Sequence, residues 1–305
     1  MNIRKRFAAV LVSLVSIALG CKKAEEPAQS AAGTPPPAVA KILKFTAIPD
    51  SSSKDMKDGF EALAKTLSAE LGIKVEYAPV NDYAASVSAL KNKECHLAWF
   101  GGLTHVQCVK RVPGARAIAQ GVEDAAFKTY LIANSSTGLS ESAEFPVAIA
   151  GKSFTFGAES STSGRLMPEF FISRHLGKKP ADLFPKVGFS GSHDKTIEAV
   201  MSGAYEVGAV NFKNWDKWVK EGKADASKVK RIWTSPSYVD YNWTVHPELD
   251  QDFGAGTTDK LTKILISLKD PELLGKLKRS GFIPARNEDY ESIRSTAEGL
   301  GLMDK

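Results

Sequence analysis

The chain has 305 residues and a formal net charge of +5. Its first twenty residues hold three basic side chains and no acid, so without them the balance is about +2, too weak to support nucleic-acid binding. Residues 41–305 suffice for two domains with cores of their own, and no apolar run among them approaches membrane-spanning length.

The N-terminus reads as a secretion signal over 1–20. Arg4, Lys5 and Arg6 precede an apolar run from Phe7 to Gly20 that only Ser13 and Ser16 interrupt. It ends Ala18-Leu19-Gly20-Cys21, which resembles the bacterial lipobox, although Ala18 stands where that motif usually has Leu. Cys21 is the expected lipidation site and first residue of the mature chain. The plainer alternative is a soluble secreted protein cleaved near the same point. Residues 21–40, with Pro35-Pro36-Pro37, cannot bury a core and read as an extended tether. At about 3.3 Å per residue it reaches roughly 60 Å.

Strands and helices then alternate. Residues 42–48 are apolar and β-prone. Met56, Phe60, Leu63, Leu67 and Leu71 recur at helical spacing. A strand at 75–77, a helix from Tyr83 and a strand at 97–100 follow, an α/β pattern with largely parallel strands. Cys95 opens one strand and Cys108 lies in the next helix, so separate buried thiols are expected rather than a disulfide or metal site. Further on, Thr155-Phe156-Gly157 is a strand and turn, and Ser161, Thr162 and Ser163 begin a helix pattern. A helix start offers unpaired N–H groups and a partial positive charge, to which three hydroxyls add donors. An ordinary N-cap is the simpler reading.

A second copy of the first unit lies 110 residues on. Val87, Ala89, Leu90, Leu97, Ala98 and Phe100 match Ile197, Ala199, Val200, Val207, Gly208 and Val210 without a gap. At that offset Ser51-Ser52-Ser53 falls on Ser161-Thr162-Ser163, and Asp82-Tyr83 on Ser192-His193. Two lobes of like topology follow. Ligands of open α/β sheets bind beyond the carboxyl ends of the strands, where all these loops lie. Ser51, Tyr83, Ser161, Thr162, Ser163, His193 and Asn211 therefore converge if the lobes face each other. Taken singly, Tyr83 reads as a packed ring, His193 as a cap for a helix near Lys195, and Asn211 as a turn residue.

In this order Asp82-Tyr83-Ala84-Ala85, Leu97-Ala98-Trp99-Phe100-Gly101, Ser161-Thr162-Ser163-Gly164 with Pro168, Gly191-Ser192-His193-Asp194 and Gly281-Phe282-Ile283-Pro284 carry a family resemblance. The chain resembles the phosphonate/phosphite-type solute-binding proteins of ABC importers. Residues 45–50, 119–124 and 155–157 look most like their selenate-binding subgroup. The resemblance implies a two-lobed α/β type II periplasmic-binding-protein fold with a hinge and an interlobe ligand cleft. Lobe 1 is expected at 41–131 and 236–305 and lobe 2 at 132–235, joined by hinge strands near 128–133 and 231–235. It makes Tyr83, Ser161, Thr162, Ser163 and His193 the oxyanion contacts. It aligns Phe127 where phosphonate binders have a Tyr, and Lys213 where aminophosphonate binders have a carboxylate. Both departures favour a small, fully charged anion over an amine-bearing one.

The expected partners are a tetrahedral oxyanion (selenate, phosphonate, phosphite or phosphate), an ABC permease and, through the lipid, a membrane. The protein is expected as a monomer without cofactor or metal. Phosphate-like anions keep a proton near neutral pH, which a buried carboxylate accepts; selenate and sulfate keep none and are repelled. The directions of Asp50, Asp82, Glu159 and Asp194 thus matter, and sequence does not set them. A competing class is a hydrolase built on Ser163, His193 and Asp194, yet no nucleophile elbow, Walker loop or metal-spaced His pair is present. Another is an oxyanion or arsenite sensor serving a membrane kinase.

Overall fold

A computed structural model describes residues 41–51 and 54–304; the signal, Cys21, the tether, Ser52 and Ser53 lie outside the described residues. The first stretch runs β1 (Leu43–Ala47), α1 (Lys54–Leu71), β2 (Val75–Tyr77), α2 (Tyr83–Lys91), β3 (Leu97–Phe100), α3 (Gly102–Arg111) and β4 (Arg116–Gly121). The second runs β5 (Thr129–Asn134), β6 (Phe154–Phe156), α4 (Met167–Leu176), α5 (Pro180–Leu183), β7 (Val187–Phe189), α6 (His193–Met201), β8 (Val207–Asn211), α7 (Phe212–Lys220) and β9 (Val229–Thr234). The chain then returns through β10 (Asn242–Val245), α8 (Leu249–Phe253), α9 (Thr257–Ser267), α10 (Pro271–Lys276), β11 (Phe282–Pro284) and α11 (Glu291–Gly299).

Two sheets result, ordered β11-β4-β10-β3-β1-β2 and β7-β6-β8-β5-β9. Each has three parallel strands (β2-β1-β3 and β7-β6-β8) flanked by one antiparallel strand that arrives from the far side of a crossing (β10 and β5). Even the bulge recurs, at Trp243/Thr244 against β4 and at Leu131/Ile132 against β9. The internal repeat is thus a repeat of topology. α2 and α6 begin 110 residues apart, each capped by the residue before it: Asp82 accepts the Ala85 N–H at 2.7 Å and Ser192 the Lys195 N–H at 3.4 Å.

Burial explains the elements. Phe60, Leu63 and Leu67 put one face of α1 into the core, each fully or nearly fully buried. At about 1.5–3 kcal/mol per side chain, that face outweighs the helix's modest intrinsic preference. β3 is buried at every position, hence its continuous apolar run, whereas β1 exposes Lys44 and is otherwise buried. Cys95 and Cys108 are buried, unbridged thiols that burial pushes up to about 12. No helix among the described residues is long and apolar enough to cross a membrane.

The expected hinge strands, 128–133 and 231–235, largely coincide with β5 and β9, which pair with each other inside the second sheet. The crossings themselves run at 122–128 and 235–241. They lie side by side: Phe127 and Tyr238 exchange both backbone hydrogen bonds, at 2.7 and 3.0 Å, and Asp240 N–H donates to the Asp124 carbonyl at 2.9 Å. A short paired ribbon is all that connects the two sheets through the backbone, so bending it costs few interior contacts.

Candidate functional site

The hydroxyl run stands where the carboxyl end of β6 meets α4. Ser161 caps it, its Oγ accepting the Gly164 N–H at 2.9 Å, and a π-helical turn over Thr162–Leu166 leads into α4. The first N–H groups of such a turn have no intrahelical acceptor. Gly164 is required here. A Cβ on it would lie 2.9 Å from Ser161 Oγ, 3.1 Å from Gly157 Cα and 3.2 Å from His193 Cε1. Absence of a side chain lets the turn close on His193. Ser163 Oγ is buried and has no hydrogen-bond partner among the described residues.

His193 is the first residue of α6 and is 1% exposed. Its N–H donates to the Asp50 carbonyl at 3.0 Å, and its Nδ1 accepts the Asn211 N–H at 3.3 Å. That acceptor role puts the ring proton on Nε2, which is buried and unpartnered among the described residues. Burial depresses the imidazole to about 4, with Asp50 and Asp194 opposing. The ring is therefore a neutral donor at physiological pH.

The first lobe supplies the opposite wall. Tyr83 opens α2; its hydroxyl is buried without a partner among the described residues and lies beside Ser161. Burial, with the Asp50 charge, raises it well above the usual phenol value, so it stays protonated. Asp240, on the return crossing, accepts the Gly102 N–H at 3.0 Å through Oδ1, while Oδ2 is buried and unpaired among the described residues. Burial lifts this carboxyl to about 7 despite the helping Gly102 N–H and Thr162 hydroxyl. Asp50 shows the same half-paired state: Oδ2 accepts the Tyr241 hydroxyl at 2.9 Å and Oδ1 accepts nothing among the described residues.

Several of these groups bridge the lobes. Thr162 Oγ1 accepts the Leu103 N–H at 3.0 Å, at the start of α3. Asn211 Nδ2 donates to the Tyr241 hydroxyl at 3.1 Å, and Ser51 Oγ to Asp194 Oδ2 at 2.6 Å. The described conformation is closed. Two helix starts, α3 and the turn before α4, meet at Thr162 and Asp240, and each carries a positive dipole end. A cavity of about 390 Å³ lies beside Tyr83, Ser160 and Phe189.

Tyr83, Ser161, Thr162, Ser163 and His193 are thus brought together. The remaining candidates take supporting places. Asn211 commits its Oδ1 to the Asn214 N–H at 2.7 Å and its amide to Tyr241. Ser51 is engaged with Asp194. Phe127 is an inner packing ring, 4.8 Å from Phe212 and 5.2 Å from Tyr241. Lys213 pairs with Glu123 at 2.8 Å. Asp82 caps α2 on the exposed side. Sequence reasoning missed Asp240 and Tyr241. The only local signal was an aromatic–acid cluster, Tyr238-Val239-Asp240-Tyr241, directly after a Ser/Pro turn.

Ser163, His193 and Asp194 do not form a relay. His193 Nδ1 is occupied by a backbone N–H, and Asp194 Oδ1 by Asn214 Nδ2 at 3.2 Å and Trp218 Nε1 at 3.0 Å. Ser163 Oγ, His193 Nε2, Tyr83 OH, Asp240 Oδ2 and Asp50 Oδ1, all buried and without partners among the described residues, give the site donors and two carboxylates.

Residues 45–290 match the family model of periplasmic substrate-binding proteins of phosphonate ABC transporters. The chain belongs to this family. It is 34% identical over 270 residues to Probable ABC transporter phosphite binding protein PhnD1 of Prochlorococcus marinus, covering 86% of this chain and 91% of the relative. The solved structure of PhnD1 from that organism in complex with methylphosphonate superposes with a TM-score of 0.81 at 35% identity, covering 86% of this chain and 99% of that one. The binding-protein component of a phosphonate ABC transporter from Pseudomonas aeruginosa matches with a TM-score of 0.74 at 21% identity, covering 87% and 88%, and shares the fold. The two-lobed periplasmic-binding architecture expected from sequence is the one present.

Gly101 gives a first test of closure in this phosphonate-family fold. A Cβ there would stand 3.0 Å from Thr162 Oγ1 and 3.2 Å from Asp240 Oδ1. Gly101→Ala should push Thr162 of lobe 2 back from the start of α3 by a few tenths of an ångström. Ligand affinity should fall about 10-fold, the scale of one lost charge-assisted hydrogen bond, with little change in the melting temperature of unliganded protein. Calorimetric affinity equal to wild type would show that closure does not bring these groups into contact.

Proposed function

We propose that this protein is the capture component of an ABC importer for a small phosphorus oxyanion, with phosphite, methylphosphonate and phosphate as the class. The observation that carries the reading is Asp240, a buried carboxyl raised to about 7 whose Oδ2 accepts no hydrogen bond among the described residues. A phosphorus oxyanion and this carboxyl share one proton between them. Ser163 Oγ, His193 Nε2, Tyr83 OH and the N–H groups of the turn at Thr162 supply the donors. Ser161 completes the turn, Thr162 ties it to α3, and Asn211 holds Tyr241 and the His193 ring. Similarity to a phosphite-binding relative and to a structure holding methylphosphonate supports the same class. Selenate lacks the proton that Asp240 calls for, so the selenate likeness of a few short motifs carries less weight than this side chain.

A thermal-shift screen of phosphite, methylphosphonate, phosphate, sulfate, selenate and arsenite tests it. A ligand at 100 times its Kd adds about 2.7 kcal/mol, a shift of about 5 °C or more for a chain of this size. Stabilisation by phosphite or methylphosphonate is the expected result. Equal or greater stabilisation by selenate at pH 8 would overturn the choice of class.

The lobes are proposed to open and close about the paired crossings at 122–128 and 235–241, with the anion favouring the closed state. Cys21 is proposed as a lipid anchor and 21–40 as the tether that lets the binding lobes reach a permease. Cys21→Ser should move the protein from the membrane fraction to the soluble envelope fraction. Wild type found wholly in the soluble fraction would end the anchor proposal.

A further inference from the structure

Behind the anion site, a second polar layer joins the lobes, and one cation from lobe 1 enters it. Lys278 follows α10 and precedes β11. Its backbone has φ of 55°, the left-handed region that a residue with a side chain adopts at a cost. Two backbone bonds hold it there: Lys278 N–H to the Gly275 carbonyl at 3.1 Å, and Arg279 N–H to the Leu274 carbonyl at 2.9 Å. This conformation sends consecutive side chains in different directions. Lys278 Nζ crosses to lobe 2 and donates to Asn214 Oδ1 at 2.9 Å. Arg279 Nε pairs with Asp124 Oδ2 on the first crossing at 2.6 Å, with both groups buried. The next N–H, of Ser280, bonds Glu123 at 3.1 Å, and Glu123 in turn holds Lys213 of lobe 2.

The partner of Lys278 is connected to the site. Asn214 donates onward to Asp194 Oδ1, which neighbours His193 in the chain, and Asp194 Oδ2 receives Ser51 from lobe 1. A cavity of about 250 Å³ lined by Ser51, Asp194, Asn214, Trp218 and Lys278 marks this seam. Burial lowers the Lys278 ammonium, and Asp50 and Asp194 oppose that shift, so the cation shares the field of both carboxylates. An anion entering beside Asp50 and Asp194 meets two negative charges. Lys278 is placed to offset them while touching no atom of the anion enclosure.

We propose that Lys278 is a positioning residue for anion capture, a latch that closes lobe 1 onto Asn214 of lobe 2 and balances the Asp50 and Asp194 carboxylates behind His193. The left-handed backbone at 278 is the Schellman C-cap of α10, the same pair of bonds that Lys93 and Glu94 make after α2, and it fixes the point from which the ammonium reaches the seam. The inference rests on the anion-binding reading above and deepens it by naming what stabilises the closed state.

The test uses the full-length protein with phosphite, methylphosphonate and selenate as probes. Lys278→Met keeps the aliphatic stem and removes the charge. It should weaken binding about 10-fold, chiefly through faster dissociation, and leave the unliganded melting temperature unchanged. Lys278→Arg should recover most of the affinity. The double variant Lys278→Met with Asn214→Ala should bind no worse than the more damaging single variant, because the two residues act through one bond. Scattering at saturating ligand should show a larger open fraction for Lys278→Met. Wild type that binds while Lys278→Met binds equally well overturns the latch alone. So does an affinity loss accompanied by a matching drop in unliganded melting temperature, which a merely structural lysine would give. Wild type that binds none of the three anions overturns both readings.

Discussion

Asp240→Asn should reverse the anion preference of the site. The variant's Oδ1 keeps the Gly102 N–H bond, so the fold and the start of α3 persist. The second atom changes from an acceptor to a donor. A monoprotonated phosphite or methylphosphonate then presents its proton to an amide that cannot accept it. One charge-assisted hydrogen bond is worth about 1.5–3 kcal/mol, so affinity for these anions should fall roughly 10- to 150-fold. Selenate, which needs a donor at this place, should bind the variant at least as well as wild type. The pH dependence has a definite sign. Wild type must hold a proton on Asp240 to admit a fully deprotonated dianion, and that carboxyl sits at about 7. Selenate affinity should be level below pH 7, fall by up to about tenfold per unit above it, and become flat in Asp240→Asn. Calorimetry across pH 6 to 9 checks this. An unchanged phosphite affinity in the variant would remove Asp240 from the site.

His193→Ala should lose a comparable part of the binding energy by a different route. The neutral ring gives Nε2–H to the enclosure because Nδ1 is fixed by Asn211. Truncation removes the donor and strands a buried backbone N–H. Affinity for phosphite should drop roughly 10- to 150-fold. His193→Gln retains an acceptor and a donor on one side chain and should restore part of it. The imidazole also gives a stability signature. Its folded value, about 4, lies below the ordinary 6.5. The unfolded chain therefore takes the proton first as pH falls. Wild type should lose up to about 3 kcal/mol of stability between pH 6.5 and 4, a loss absent from His193→Gln. If melting curves of the two proteins run parallel through that window, His193 is not the buried neutral ring described.

Much of the architecture was legible because it is written in short-range pattern. The helical spacing of Met56, Phe60, Leu63 and Leu67, the apolar strands, and the 110-residue repeat all express local burial, which periodicity reports directly. The hydroxyl run and the position before α6 were equally visible, since caps and helix starts are local chemistry. The matched register placed Tyr83 and His193 at equivalent points of two units, and the fold sets both at the same enclosure.

What sequence left open depended on contacts between distant segments. Asp240 and Tyr241 lie on the return crossing, in no periodic element, and acquire their neighbours only when that crossing pairs with 122–128. Asp50 and Asp194 are ordinary acids in sequence. The fold buries Asp50 against the Tyr241 hydroxyl and sets Asp194 among Ser51 of the first lobe and Asn214 and Trp218 of its own. Lys213, aligned with a ligand-side position, instead neutralises Glu123, and Asn211 caps α7 and braces Tyr241. The chain by itself determined two like α/β units with donor-rich helix starts, because those follow from side-chain periodicity and backbone hydrogen bonding over a few turns. Which carboxylates end buried beside the donors, and which cation lies near them, were decided only by tertiary structure, because burial and charge pairing between residues scores of positions apart have no local sequence signal.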